Sequence, residues 1–457
     1  MIYNIKPLTA AQITKATGGE LVWGNPESTI SGISCDSRTI SDATLYIPIK
    51  GERFDGHSFL NDVGKSGIGG CIFSDDADFD APFAVRVTDT SKALLDIAQF
   101  YRSLFSLPVV GLTGSVGKTT TKELIASVLS EHFNTLATKG NFNNNIGVPY
   151  TLFGLNDSHE AAVIEMGMSN FGEIKVLSEC AKPDIAVITN IGTSHIEFLG
   201  SRDGILQAKT EIFCGMSKKG YIVLNGDDDK LITLKGNIPF ETVFVGIENN
   251  ACDYVAYDIE SSENGCDFSV GQNRYRINVP GTHNIYNALC AIAVGEKLGM
   301  EYDEISHGLQ NYHPDGIRQN IMTVNGFKLI NDCYNSSPQS VSAALGVLAA
   351  VEAKRKIAVL GDIAELGDYS ESLHREVGRA VRASDADVLV TVGTDSEYIA
   401  LEADNKEAYS FADSDEAAEF MKTFVTQNDA VLIKGSRCMK MEKISEKLCE
   451  CLARTTN

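Results

Sequence analysis

The chain has 457 residues, 43% hydrophobic and 22% charged, with a formal net charge of −22. That length exceeds one ordinary core, so two or three domains are expected, and the composition is that of a soluble globular protein. The acidic balance excludes a basic nucleic-acid-binding face, and no apolar run reaches the roughly 20 residues of a membrane helix, so neither nucleic acid nor a membrane is expected as a partner.

The opening MIYNIKPLTAAQITKATGG lacks a basic stretch followed by an apolar one, so no secretory signal is read. The eleven cysteines are scattered, without a C-x-x-C pair or a His/Cys ladder at zinc spacing. They read as free thiols of a reducing compartment, and a cytoplasmic protein is expected.

In residues 1–107, short strand-like pieces (LYIPI, GGCIF, FAVRV) are broken by Gly and Asp turns. A helical SKALLDIAQFYRSLF follows. From Pro108 to residue 316, the apolar strands AAVIEMG, DIAVITNIG and YIVLN alternate with helical patterns. That rhythm predicts a parallel α/β sheet. PGTHNIYNALCAIAVGEKLG (280–299) reads as a helix closed by glycine. Residues 317–457 repeat the alternation with KIAVLGD, DVLVTVG and AVLIKGS. The size is that of a Rossmann-like domain, but the G-x-G-x-x-G dinucleotide fingerprint is missing. AALGVLAAV (343–351) is the longest apolar run considered for a membrane and reads instead as a buried helix.

The stretch GLTGSVGKTTTKE (111–123) joins an apolar strand to an amphipathic helix. Such a Gly-rich turn directs backbone N–H groups at phosphates, the helix N-terminus favours anions, and a lysine neutralises the outer phosphates. Thr113, Gly114, Ser115, Val116, Gly117, Lys118, Thr119 and Thr120 are therefore the candidate nucleotide contacts. The common G-x-x-x-x-G-K-S/T spacing would put glycine at 112, where this chain has Leu112.

Glu165 ends the next strand and His195 follows the one after. Ligands gather beyond strand ends in open α/β sheets, so both are expected in the phosphate-loop crevice. Lys209, in GILQAKTEIFCGM, falls at helical spacing with Ile205, Ile212 and Met216. Two readings stand. The stem is buried with the ammonium snorkelling to water, which periodicity alone favours. Alternatively burial makes the amine neutral and able to take up carbon dioxide as a carbamate.

The ordered set GLTGSVGKTTTKE, KGNFNNNIGVP, EMG, SHIE, AKTEIF, GTHNIYN and KGSR resembles the Mur ligase family, ATP-dependent amide-forming enzymes of peptidoglycan assembly, over essentially the whole chain. The family's variant phosphate loop accounts for Leu112. The resemblance implies an α/β protein of three domains: a small UDP-substrate domain (1–107), a central P-loop-type parallel-sheet ATPase domain (108–316) and a C-terminal Rossmann-like domain (317–457) that closes on ATP. It implies two magnesium ions, one on Thr119 and Glu165, the other on His195 and a carbamylated Lys209 (a carboxylysine). Asn284 and Asn287 would contact the adenine side, and Arg318 and Asp332 would reach ATP from the third domain.

Within the family, NDCYNSSPQS (331–340), LGDIAELG and ESLHREVG resemble the subgroup whose acceptor is D-alanyl-D-alanine and whose other substrate is UDP-N-acetylmuramoyl-tripeptide. Ser336-Ser337 stands where that signature more often has Ala-Asn. Ser34, Asp36, Arg38 and His57 would lie near the UDP-linked substrate; Asn143, Asn144, Tyr334, Asn335, Lys434, Ser436 and Arg437 complete the implied substrate set. The implied chemistry passes a γ-phosphoryl group to a carboxylate, and an amine then displaces phosphate from the acyl phosphate. A monomer is expected. The rivals are the diaminopimelate- or lysine-adding and folylpolyglutamate ligases of the same fold, and a noncatalytic nucleotide-binding scaffold; a GTPase is disfavoured because no Asn-Lys-x-Asp motif occurs.

Overall fold

Apolar runs too short for helices, set between glycine-rich turns, form three separate sheets in the computed structural model, which describes residues 3–51, 54–75, 79–314 and 320–450. The first sheet has six strands in the order Tyr3–Thr9, Thr29–Ser34, Thr44–Tyr46, Gly70–Phe73, Phe83–Arg86, Glu20–Gly24. Its two outermost pairings are antiparallel and the inner ones parallel.

The second sheet has nine strands and carries the phosphate loop. Strand Val109–Thr113 lies between Ile185–Ile188 and Ala161–Glu165, parallel to both. The chain leaves Val109–Thr113, runs out to the edge strand Thr135–Ala137, returns through Ala161–Glu165, and continues on the other side at Ile185–Ile188. That reversal of direction is a topological switch point, and the crevice at its carboxyl ends is where open α/β sheets bind ligands. The strands flanking it are buried throughout, so they read as unbroken apolar runs rather than alternating ones.

The expected all-parallel alternation fails at the far edge. Tyr254–Ser262, Gly265–Val270 and Asn273–Ile277 form an antiparallel extension. Gly265–Val270 and Asn273–Ile277 alternate polar with apolar residues and Tyr254–Ser262 is largely exposed, which hid all three from a search for apolar runs.

The third sheet is ordered Asn320–Val324, Phe327–Asp332, Asp429–Lys434, Arg355–Gly361, Val388–Val392, Glu407–Phe411, parallel except for its first pair. The apolar run expected as a buried helix lies in Pro338–Ala350, with Ala344, Leu345, Val347 and Leu348 buried and Gly346 exposed, so one face packs and the other meets solvent.

Helix Thr90–Arg102 ties the first sheet to the second. The Tyr101 hydroxyl accepts from the Lys6 backbone N–H (3.0 Å) and donates to the Leu155 carbonyl (2.8 Å), while Arg102 Nε donates to the Ala181 carbonyl (3.1 Å). This buried arginine also donates to the Phe105 (2.8 Å) and Leu107 (3.2 Å) carbonyls, and the Asp184 carboxylate 3.9 Å away supplies a counter-charge.

Candidate active site

The phosphate loop is held from behind. Thr189 and Asn190, at the end of the neighbouring strand, both donate to the Val116 carbonyl (2.6 and 3.0 Å), and Asn190 Oδ1 accepts the Val116 N–H (2.9 Å). The Gly192 N–H donates to Ser115 Oγ (2.9 Å). Gly114 has no room for a side chain, since a Cβ would lie 1.8 Å from Thr189 Oγ1. Gly117 has φ 83°, a left-handed conformation that glycine adopts without steric cost. Helix Lys118–Leu129 starts immediately after it. Its first N–H groups have no intrahelical acceptor, so an anion can take them. Lys118 Nζ folds back onto the Gly114 carbonyl (2.7 Å).

At the head of that helix, Thr119 Oγ1 donates to Glu165 Oε2 (3.1 Å) and Asn143 Nδ2 to Glu165 Oε1 (2.8 Å). Glu165 is 1% exposed, and its backbone N–H donates to Thr138 Oγ1 (3.0 Å). A hydroxyl and a carboxylate beside a phosphate loop make the hard-oxygen donor set that suits magnesium. Asn144 lines the same cavity, but its Oδ1 accepts from the Ile146 and Gly147 N–H groups, which starts helix Gly147–Leu152.

Lys209 departs from its expected setting. The α-helix Arg202–Thr210 ends one residue later, Glu211–Gly215 is a 3₁₀ turn, and Met216 is extended. The α-helical part of the stripe covers Ile205 and Lys209, and across the tighter turn Ile212 stays fully buried in the same core as Ile205, with Met216 packed against it. Snorkelling is excluded, since Lys209 is 2% exposed. Burial, reinforced by the nearby Lys118 charge, holds its amine well below the usual lysine range. Among the described residues no carboxylate or other hydrogen-bond partner reaches it.

A cavity of about 730 Å³ opens over the loop. Its walls include Ser115 through Thr120, Asn143, Asn144, Glu165, His195, Asn284 and Asn287 from the central sheet's side, and Asp332, Tyr334, Asn335 and Lys434 from the third domain. Asn287 is committed to structure as well: its Oδ1 accepts from Thr121 Oγ1 (2.9 Å) and its Nδ2 donates to Asn284 Oδ1 (2.9 Å). Lys434, 2% exposed, donates to Asp332 Oδ2 (2.6 Å) and to the Asn335 carbonyl (2.9 Å). A second cavity of about 560 Å³ shares His195, Tyr334 and Asn335 and adds Glu365, Ser436 and Arg437.

Some expected residues lie apart. Thr113 is wholly buried in its strand and lines neither cavity. Ser34, Asp36, Arg38 and His57 belong to the first domain and line neither cavity. There Arg38 holds both Asp36 oxygens (2.9 and 2.8 Å), keeping that carboxylate below the usual range. His57 sits between Asp55 Oδ1 (2.8 Å) and Ser74 Oγ (3.0 Å). Arg318 lies outside the described residues.

Sequence reasoning missed the residues that join the domains. Gln339 Oε1 accepts from the Thr193 N–H (3.3 Å) and hydroxyl (3.2 Å), and the Tyr369 hydroxyl donates to the Gly200 carbonyl (2.9 Å). Glu365 Oε2 lies 2.5 Å from His195 Nδ1, a contact that holds the Glu365 carboxyl below the usual range. Thr189 and Asn190 were missed too. Their position at the end of DIAVITN was the available signal.

A phosphate loop at the switch point of a parallel sheet, facing a separate Rossmann-like domain across a polar cavity, defines a nucleotide-using enzyme built from three α/β domains. The comparisons agree. Mur ligase family patterns match in order: the catalytic domain at residues 29–104, the middle domain at 112–295 and the glutamate ligase domain at 318–437. The chain is 37% identical to the UDP-N-acetylmuramoyl-tripeptide–D-alanyl-D-alanine ligase of Bacillus subtilis over 97% of its own length and 98% of the relative's, and 35% identical to the Escherichia coli enzyme of the same name, with the same coverage. A crystal structure of MurF from Acinetobacter baumannii superposes with a TM-score of 0.92 at 33% identity, covering 98% of this chain and all of that one. MurF from Thermotoga maritima in complex with ADP superposes at 0.83 and 27% identity, over 92% and 98%. This chain belongs to the Mur ligase family.

Proposed function

We propose that the protein joins D-alanyl-D-alanine to UDP-N-acetylmuramoyl-tripeptide, at the expense of ATP, in peptidoglycan precursor synthesis. One observation carries the reading beyond the names of the relatives. The phosphate loop and the Thr119–Glu165 pair share a single cavity with the Tyr334–Asn335–Lys434 wall of the third domain. A phosphoryl donor and an amine acceptor held by different domains can thus reach one carboxylate.

Making an amide from a carboxylate in water requires an activated acyl group. The γ-phosphoryl of ATP passes to the tripeptide's terminal carboxylate, the dipeptide amine attacks the acyl phosphate, and the tetrahedral adduct expels phosphate. Catalysis is positioning and electrostatics, with no protein nucleophile. Lys118 and the helix N-terminus take the phosphates, and the Asn284–Asn287 end takes the base. The third domain supplies Asp332, with Arg318, on the ATP side. Tyr334, Asn335, Lys434, Ser436 and Arg437 receive the dipeptide. The division at residues 107 and 316 gives the UDP end to Ser34, Asp36, Arg38 and His57.

Thr119 and Glu165 would hold one magnesium ion, and His195 with a carbamylated Lys209, which as the free amine lines neither cavity, would hold a second. Two such ions, when bound, offset negative charge on the transferring group. The buried amine of Lys209, held well below the usual lysine range, supports the modification: in its unprotonated form it adds to carbon dioxide, loses a proton and becomes an anionic oxygen donor. The protein acts as a cytoplasmic monomer.

The test is phosphate release with UDP-N-acetylmuramoyl-tripeptide, comparing D-alanyl-D-alanine, D-alanine, L-lysine and diaminopimelate as acceptors. Release stimulated by the dipeptide alone is expected. Stimulation by lysine or diaminopimelate, with none by the dipeptide, overturns the reading.

A further inference from the structure

The two cavities meet at a shared wall. Asn141, Ser194 and His195 form one side of it, and Tyr334 through Ser337 of the third domain form the other. Beyond this junction the cavities part. Only the larger holds the phosphate loop, Thr119 and Glu165, and only the smaller holds Ser436 and Arg437. Ser336 stands at the junction with an unused hydroxyl. The residue is 8% exposed, and among the described residues no hydrogen-bond partner reaches its Oγ. Its backbone, by contrast, is tied down. The Ser336 N–H donates to Asn335 Oδ1 (2.9 Å), and the next residue, Ser337, caps helix Pro338–Ala350. A buried hydroxyl without a partner lowers stability, and folded proteins keep few of them. With no bond to break, this one can turn about χ1 to meet a ligand at little cost.

The two ends of the dipeptide differ in charge, and so do the two sides of the junction. Its carboxylate suits the Arg437 guanidinium in the smaller cavity. Its amine must reach the acyl phosphate made beside the phosphate loop, so the amine lies at the junction. There the N-terminus of helix Pro338–Ala350 carries partial positive charge. That charge favours the neutral, nucleophilic amine over the ammonium. We propose that Ser336 seats this amine: Oγ accepts one of its N–H groups and turns the nitrogen lone pair toward the acyl carbon. The nitrogen pair forms the amide bond and the acyl C–O bond breaks. Phosphate leaves with the electrons of that bond and takes up the surplus proton of the nitrogen. Ser336 orients the amine and removes no proton from it. The inference rests on the ligase reading and adds to it the residue that holds the attacking nitrogen.

The experiment compares the full chain with Ser336→Ala, using ATP, UDP-N-acetylmuramoyl-tripeptide and either D-alanyl-D-alanine or hydroxylamine. Hydroxylamine captures an acyl phosphate as a hydroxamate and is too small to need a seat. In Ser336→Ala, kcat/KM for the dipeptide should fall about 10-fold, the scale of one lost hydrogen bond. Hydroxamate formation and the KM for ATP should keep their wild-type values. The melting temperature should equal or exceed that of the wild type, because the lost hydroxyl had no partner. An unchanged kcat/KM for the dipeptide overturns the proposal. So does an equal fall with hydroxylamine, which would put the hydroxyl on the acyl group, and so does a lowered melting temperature, which would make it structural. A wild-type chain that forms neither hydroxamate nor amide sinks the ligase reading itself. One that forms both, beside an unaffected Ser336→Ala, sinks this inference alone.

Discussion

Lys209 shows how far one residue's setting can decide its chemistry. A lysine amine buried beside Lys118, with no carboxylate near it among the described residues, is poorly stabilised as a cation. The carbamate proposed above would turn it into an anion. Lys209→Ala should therefore fold normally and lose nearly all activity, and formate or acetate should restore part of it by filling the vacated space. Native mass spectrometry of the wild type should show one added carbon dioxide that acid removes. An unmodified amine together with an active Lys209→Ala would refute the assignment. Lys118 makes a simpler case. Its alanine variant should keep its circular dichroism spectrum and lose about 10³-fold in turnover, the scale expected when a main electrostatic stabiliser of the transition state is removed. Near-normal turnover would mean that the loop does not hold the transferring phosphate.

At the scale of elements, the loop's shape comes from its neighbours as well as its own glycines. Gly117→Ala puts a Cβ on a left-handed residue and 2.8 Å from Asn287 Oδ1. A loss of about 1–2 kcal/mol in stability is expected from the backbone alone, with nucleotide affinity falling more than stability does. Calorimetry against ADP separates the two. A different element sets a pH response. Asp429, buried at the start of strand Asp429–Lys434, is pulled up by burial, but bonds from Arg355 (3.2 and 2.8 Å) and from the Thr426 N–H (2.7 Å) and hydroxyl (3.1 Å) outweigh it and leave its pKa lowered. A carboxylate with a depressed folded pKa contributes stability above its unfolded pKa of about 4 and loses it as pH falls through the folded value. Asp429→Asn should thus cost about 1.5–3 kcal/mol at pH 7, and the gap to wild type should shrink in denaturant melts as pH falls below about 4. A gap independent of pH would contradict the assignment.

For the whole molecule, the seam between the second and third domains is thin: a few polar bonds on residues 193–200 and a separate Lys328–Glu263 ion pair. Interfaces of that kind open readily. Replacing Gln339 with Ala and Tyr369 with Phe together should raise hydrogen exchange in 192–200 and 363–369 in step and leave the three sheets protected. Exchange that rises in only one of the two segments would show that they are not coupled by docking. The active cavity has walls on both sides of this seam, so the double variant should also raise KM for the acceptor more than for ATP.

The legible part of this protein was local. Alternating apolar strands and helices and GLTGSVGKTTTKE were enough to read α/β domains with a phosphate site, because backbone geometry and phosphate binding impose residue types at fixed spacing; the ligase activity was implied only by the resemblance of the ordered motifs to the Mur ligase family. The antiparallel extension at Tyr254–Ile277 was not legible, since edge strands with one wet face lack long apolar runs. Glu365 lay inside a quoted motif without a role, because its partner His195 is far away in sequence and on another domain. Lys209 was the closest case. Its helical face was visible, but periodicity alone favoured a snorkelling ammonium, and the structure buries the amine instead. The depth of a side chain depends on what packs over the end of its helix. Only the tertiary structure fixes that covering, and here it buries the amine beside Lys118 and away from any carboxylate among the described residues.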